Sequence, residues 1–125
     1  MNIRYTASDS VAVDEFIELA NAVWPKDYDR QKVLAALTVT DCITARDDGR
    51  LVGCLRILSD GYLFSTIPEA FVHPDYQRQG IGSELFERAK QHCPTSFFFG
   101  AQAGLNAFYE RLGFEKSLQS FHYKK

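Results

Sequence analysis

The chain has only three cysteines, Cys42, Cys54 and Cys93, and no Cys-x-x-Cys pair. An odd set at that spacing excludes a disulfide framework and a zinc ribbon, and leaves buried free thiols in a reducing, cytoplasmic setting as the expectation. No stretch approaches the ~20 consecutive apolar residues that cross a bilayer. The opening Met1 to Thr6 lacks a basic segment followed by an apolar run, so neither membrane insertion nor a secretory leader is expected. Charge of one sign is also missing: 14 Lys and Arg stand against 16 Asp and Glu, a net charge of −2. The basic residues are scattered, with no stripe to displace counterions from a nucleic-acid backbone, and a nucleic-acid partner is not expected. His92 and His122 have no second ligand at metal spacing, so no metal is expected either. Repeats, low-complexity segments and linkers are absent.

What is present suffices for one core. Aliphatic, aromatic and cysteine residues make up 46% of the chain, enough apolar surface to offset the chain entropy of folding. A length of 125 residues suits one domain and not two, so residues 1–125 are expected to form a single domain. Asn2 to Thr6 reads as a strand. Ser8-Asp9-Ser10 offers N-cap side chains for a helix over Val11 to Val23, in which Val13, Phe16, Ile17, Ala20 and Val23 recur at helical spacing and which Pro25 stops. A second helix is expected over Asp29 to Leu37. Cys42 to Arg46 and Leu51 to Leu58, joined by Asp48-Gly49, read as a hairpin. The apolar stretch Tyr62 to Val72 reads as a strand in which Pro68 marks a bulge or an edge.

Gly82 to Gln91 is amphipathic, with Leu85, Phe86 and Ala89 on the inner face. Phe97 to Phe99 suits a short strand buried on both faces, and Gly104 to Leu112 a third such helix, with Gly113 as its C-cap. Phe114 to Lys116 and Ser120 to Tyr123 are the expected last strands. Strand–helix–strand order after a hairpin puts a parallel crossover inside a mixed sheet. The fold class is therefore α+β, or mixed α/β.

The segment Val72-His73-Pro74-Asp75-Tyr76-Gln77-Arg78-Gln79-Gly80-Ile81-Gly82-Ser83 joins the end of a strand to the start of a helix. Glycines there let a ligand approach the backbone, and the unpaired amides of a first helical turn suit phosphate oxygens. Two rival phosphate motifs fail. A dinucleotide fingerprint requires a third glycine, which is missing here, and an acidic residue about 20 positions on, but the next strand ends in Phe99-Gly100. A nucleotide P-loop requires Gly-Lys-Ser or Gly-Lys-Thr, whereas Gly82 is followed by Ser83 and Glu84.

With Gln77, Gly80 and Gly82 in the order Gln-x-x-Gly-x-Gly, the segment resembles the pyrophosphate motif of the GNAT superfamily of N-acetyltransferases. The run Asn106-Ala107-Phe108-Tyr109-Glu110-Arg111-Leu112-Gly113-Phe114 resembles that family's second cofactor motif, and a fainter likeness reaches back through Leu51-Val52-Gly53 to Trp24. The resemblance implies a mostly antiparallel mixed sheet with a central, splayed parallel pair and helices on both faces. It implies acetyl-CoA as cosubstrate, with its pantetheine arm on the backbone of Phe71 and Val72. The pyrophosphate would lie on Gln77, Arg78, Gln79, Gly80, Ile81, Gly82 and Ser83, with Asn106 and Phe108 along the CoA chain and Tyr109 near the sulfur. The implied reaction is direct attack of a primary amine, of a small molecule or of a protein, on the thioester. Tyr109 would protonate or hydrogen-bond the leaving thiolate, and Glu69 would take the amine's proton, with His73 as the alternative base. Trp24, Tyr28 and Glu69 are the candidates for the acceptor site. The family also makes a homodimer an expectation. Other readings of the same residues stay open: core packing for Tyr109, an edge-strand charge for Glu69, a packing anchor for Trp24 and an exposed loop cation for Arg78. At the level of the whole chain, the alternatives are a CoA-binding regulatory module and an interaction domain with an empty glycine turn.

Overall fold

Side chains alternate across a strand, so one sheet can feed two cores. In a computed structural model that describes residues Met1–Lys125, strands β1 (Ile3–Thr6), β2 (Asp41–Asp47), β3 (Arg50–Ser59), β4 (Ser65–Val72) and β5 (Phe97–Phe98) form one sheet in that spatial order. Every neighbouring pair is antiparallel except β4–β5. Ile43, Ala45, Leu55 and Ile57 pack against Ile81, Leu85, Phe86 and Ala89 of α3 (Ile81–His92). On the other face Cys42, Cys54 and Phe71 pack against Phe16, Leu19 and Ala20 of α1 (Val13–Val23). Helix α2 (Arg30–Val39) adds Val33 and Leu37 to this second core but buries no residue fully. The α+β class, the mixed sheet and the helices on both faces are as the sequence led us to expect. No helix is long and apolar enough to cross a membrane.

Local signals acted in part as read. Asp29 caps α2, its carboxylate accepting from the amides of Gln31 and Lys32 at 3.0 and 3.2 Å, so the helix starts one residue later than expected. At α1 the cap is Ala12, whose amide donates to Glu15. The Ser8-Asp9-Ser10 run is drawn away from capping, because Ser8 bonds Asp41, and Asp9 bonds Thr44 and Arg46. Gly113 ends α4 (Asn106–Arg111) at φ +91°, with the Phe114 amide donating to the Tyr109 carbonyl, the closing bond of a Schellman turn.

Three expectations need correction. Beyond Phe114 the tail forms no strand and makes no backbone hydrogen bond, and Leu118, Phe121 and Tyr123 are exposed. A strand exists only where a neighbouring edge supplies its bonds, and β5 offers two residues of edge. The parallel pair therefore lies at the sheet's margin and not at its centre. Phe98, expected to be buried, is 43% exposed and stacks on Phe64 with ring centroids 5.8 Å apart.

Arg46 ties the sheet to the start of α1. It bonds Asp9 at 2.9 Å and both oxygens of Glu15 at 2.8 Å. Burial raises the Asp9 pKa, but bonds from Thr44 and Arg46 outweigh it and hold the group below its ordinary value; Glu15 is lowered chiefly by Arg46. Carboxylates depressed in the folded state contribute stability above the ordinary carboxylate range of about pH 4, and that stability is lost as pH falls through their folded pKa values. Arg46→Leu is therefore expected to lower Tm more at pH 7 than in acid below the lowered carboxylate values, where the partners are protonated in any case. An equal drop at both pH values, by circular dichroism, would assign Arg46 to packing.

Candidate active site

Strand β4 pairs with β5 only at Ser65↔Phe97 and Thr66↔Phe98. Past that point the two chains part. Pro68 follows at once and brings no amide to a ladder, and the β3–β4 register shifts between Arg56 and Leu58; the lone proline of the strand marks its irregularity. Between the diverging chains lies a cleft of about 640 Å³. Residues Ile67 to Val72 form one wall, and Phe99, Gly100, Leu105, Phe108 and Tyr109 the other, with Phe86 also contributing.

The loop after β4 closes one end. The His73 amide donates to the Val52 carbonyl at 2.8 Å, and Gln77 Nε2 donates to the Val72 carbonyl at 3.0 Å, which pins the loop to the strand it leaves. Arg78 and Gly80 adopt positive φ of 64° and 83°, turning the chain into α3. No side chain caps that helix, and the amides of Ile81, Gly82 and Ser83 have no acceptor in the protein. Such amides at the positive end of a twelve-residue helix favour an anion. The left-handed angle favours glycine at position 80; a Cβ at Gly82 would stand 3.9 Å from both Phe108 and Val72, in ordinary contact with the two cleft walls.

Tyr109 lies in an aromatic cluster, with ring centroids 4.8 Å from Phe99, 5.2 Å from Phe108 and 5.5 Å from Phe86. Burial raises its phenol pKa, so the group is protonated at neutral pH. Its hydroxyl has no hydrogen-bond partner in the protein. Glu69 lies across the cleft and is held by Arg56, Oε1 accepting from Nε and Oε2 from Nη2, each at 2.9 Å. A carboxylate with two such bonds keeps two further lone-pair positions free.

Glu69 also lines a second cleft, of about 370 Å³, with Tyr28, Lys26, Lys32, Leu37 and Arg56. Of the candidates read from the sequence, Phe71, Val72, Gln77, Arg78, Gly80, Ile81, Gly82, Ser83, Phe108, Tyr109, Glu69 and Trp24 meet in the first cleft, while Tyr28 lies in the second. Gln79 and Asn106 are exposed and line neither. His73 lies in a separate hollow with Glu15 and Arg50, its Nδ1 accepting from the Asp75 amide. His92 bonds Asp41 at 2.6 Å, far from this machinery in role. Arg56, Phe86 and Phe99 are lining residues that sequence reading missed. Pairing of Arg56 with Glu69 follows from the β3–β4 register, which the shift at Leu58 hides from simple counting.

A family model described as the Acetyltransferase (GNAT) domain matches residues 10–124. The chain belongs to the GNAT acetyltransferase family. It is 27% identical over 124 residues to an uncharacterized N-acetyltransferase, ycf52, of Pyropia yezoensis, covering 92% of this chain and 71% of the relative. Among solved structures, a probable acetyltransferase of unknown function from meticillin-resistant Staphylococcus aureus superposes with a TM-score of 0.86 at 20% identity, over 99% of both chains. A GNAT family acetyltransferase from Streptococcus pneumoniae gives 0.84 at 23% identity, over 99% of this chain and 98% of that one. At such identities the structures speak for the fold alone, and the family match carries the activity: the protein is an N-acetyltransferase enzyme. GNAT acetyltransferases use acetyl-CoA as cosubstrate, and a cleft that ends on unpaired helix amides fits a pyrophosphate.

Proposed function

We propose that this acetyltransferase transfers the acetyl group of acetyl-CoA to a primary amine by direct attack on the thioester, and that residues 1–125 act as one catalytic domain. Bound acetyl-CoA supplies an activated acetyl group on a good leaving sulfur. The observation that carries the reading is a single cleft running from the free amides of α3, past the open edge of β4, to Tyr109 and Glu69. The amides of Ile81, Gly82 and Ser83, with Arg78, hold the phosphates. The edge of β4 turned away from β3, at Phe71 and Val72, holds the extended arm, and an amide there donates to the carbonyl oxygen as it gains charge. Glu69 draws the ammonium form of the acceptor toward the cleft and takes one of its protons, directly or through water. The amine nitrogen then bonds to the acetyl carbon as the C–S bond breaks. Tyr109 hydrogen-bonds or protonates the sulfur, and a second proton leaves to solvent. The three free thiols suit a reducing compartment such as the cytoplasm.

Acetyl-CoA is expected to raise Tm by mass action on the native state. Gly80→Asp, which puts a negative charge on the phosphate site, should abolish the rise; nothing lies within 4 Å of a Cβ at that position, so its cost to the fold is the strain of the left-handed angle alone, read as a lower Tm without acetyl-CoA. A wild-type protein whose Tm ignores acetyl-CoA would remove the cofactor assignment.

Tyr109→Phe removes the hydroxyl alone, so acetyl-CoA affinity should hold while kcat falls on the order of 10²-fold, the low end for a general acid. An unchanged kcat in single-turnover measurements would leave Tyr109 with packing only.

Glu69→Gln is near-isosteric and should cut kcat/KM most at neutral pH, the loss shrinking as pH nears the amine's own pKa of about 10, where solvent supplies free amine. An effect confined to acceptor KM at every pH would mean that Glu69 attracts the cation without moving a proton.

A further inference from the structure

The second cleft lies between the α1–α2 connection, α2 itself and the paired strands β3 and β4, and Glu69 is the one side chain it shares with the cofactor cleft. Whatever sits there thus reaches the reacting region along this carboxylate. About 370 Å³ is within the size range of small-molecule sites and suits a small acceptor.

Its charges are equal in number but unequally engaged. Six ionisable side chains other than Tyr28 line it: Lys26, Asp27, Asp29, Lys32, Arg56 and Glu69. Arg56 and Glu69 satisfy one another. Asp29 is engaged by the first amides of α2. Neither Lys26 nor Lys32 takes part in any ion pair. Lys26 is nevertheless positioned: its Nζ stands 4.9 Å from the Tyr28 ring centroid, and the Tyr28 hydroxyl is itself anchored on the Trp24 carbonyl at 2.9 Å. A cation on an aromatic face keeps its N–H donors for a ligand. Asp27 is likewise in no ion pair, so two lysines stand against one free carboxylate, a surplus of one positive charge, in a cleft that Glu69 joins to the cofactor side.

We infer that the acceptor is a small amine that also carries an anionic group, carboxylate or phosphate, with Lys26 and Lys32 holding the anion and Glu69 receiving the amine. This rests on the function proposed above and names its substrate class. Lys26 and Lys32 are specificity residues that act on acceptor binding, and neither lines the cofactor cleft.

The test uses matched acceptors with acetyl-CoA and follows release of free CoA thiol: an α-amino acid against its amide, and a phosphorylated amino sugar against the unphosphorylated one. The anionic member of at least one pair should be preferred in kcat/KM by about tenfold or more, and which pair shows it identifies carboxylate or phosphate. In the Lys26→Gln/Lys32→Gln double variant that ratio should collapse toward one, through a rise in KM for the anionic acceptor, with KM for acetyl-CoA unchanged. Preference for the neutral members or for polyamines overturns the inference, as does a ratio that survives the double substitution. So does turnover of no acceptor by protein whose Tm rises with acetyl-CoA, which leaves cofactor binding standing. Absence of any acetyl-CoA effect on Tm overturns the underlying functional reading instead.

Discussion

The hydrogen-bonded contact between β4 and β5 ends after two residue pairs, and the site depends on that. Had the ladder continued, Ile67 to Val72 would face a neighbouring strand and no cleft would exist. Two features end it. Pro68 has no amide to give. Phe97 and Phe99 are drawn into contact with Phe86, Tyr109 and Phe114, so the chain beyond β5 turns toward α3 and α4 and away from the line of β4. Apolar burial on one side thus leaves an open strand edge on the other, and polar backbone at such an edge calls for a partner or water.

The same aromatic cluster sets the chemistry of Tyr109. Rings packed around it at centroid distances of 4.8–6.4 Å shield it in part from water, and loss of water disfavours the phenolate. Packing and protonation are therefore not rival accounts of this residue: the contacts that bury the ring also keep its proton. At the far end of the cleft the opposite condition holds. The α3 terminus has a glycine where most helices have a capping side chain, and its amides remain available.

Glu69 connects the two halves of the molecule. It stands on β4, opposite Arg56 of β3, and the ion pair fixes the carboxylate between the two clefts. Exposed ion pairs contribute little to stability; this one is partly buried, with side-chain exposures of 18% and 22%, and its consequence is orientation. A carboxylate so held keeps its direction, whether it moves a proton or only attracts a cation.

What the sequence determined by itself was local. The phosphate loop was legible because Gln77, Gly80, Gly82 and the first amides of α3 are neighbours along the chain, and φ at Gly80 is a property of that one residue. Helix faces, the β2–β3 hairpin and the Gly113 cap were legible for the same reason. The tertiary structure alone decided the rest. Arg56 meets Glu69 through a strand register that a shift interrupts, the second cleft needs α2 to settle across β3 and β4, and Phe99 becomes a cleft wall only because β5 turns away from β4. The tail shows the limit most plainly: Ser120 to Tyr123 has the composition of a strand, but a strand is a relation between two edges, and β5 presents only two residues to pair with.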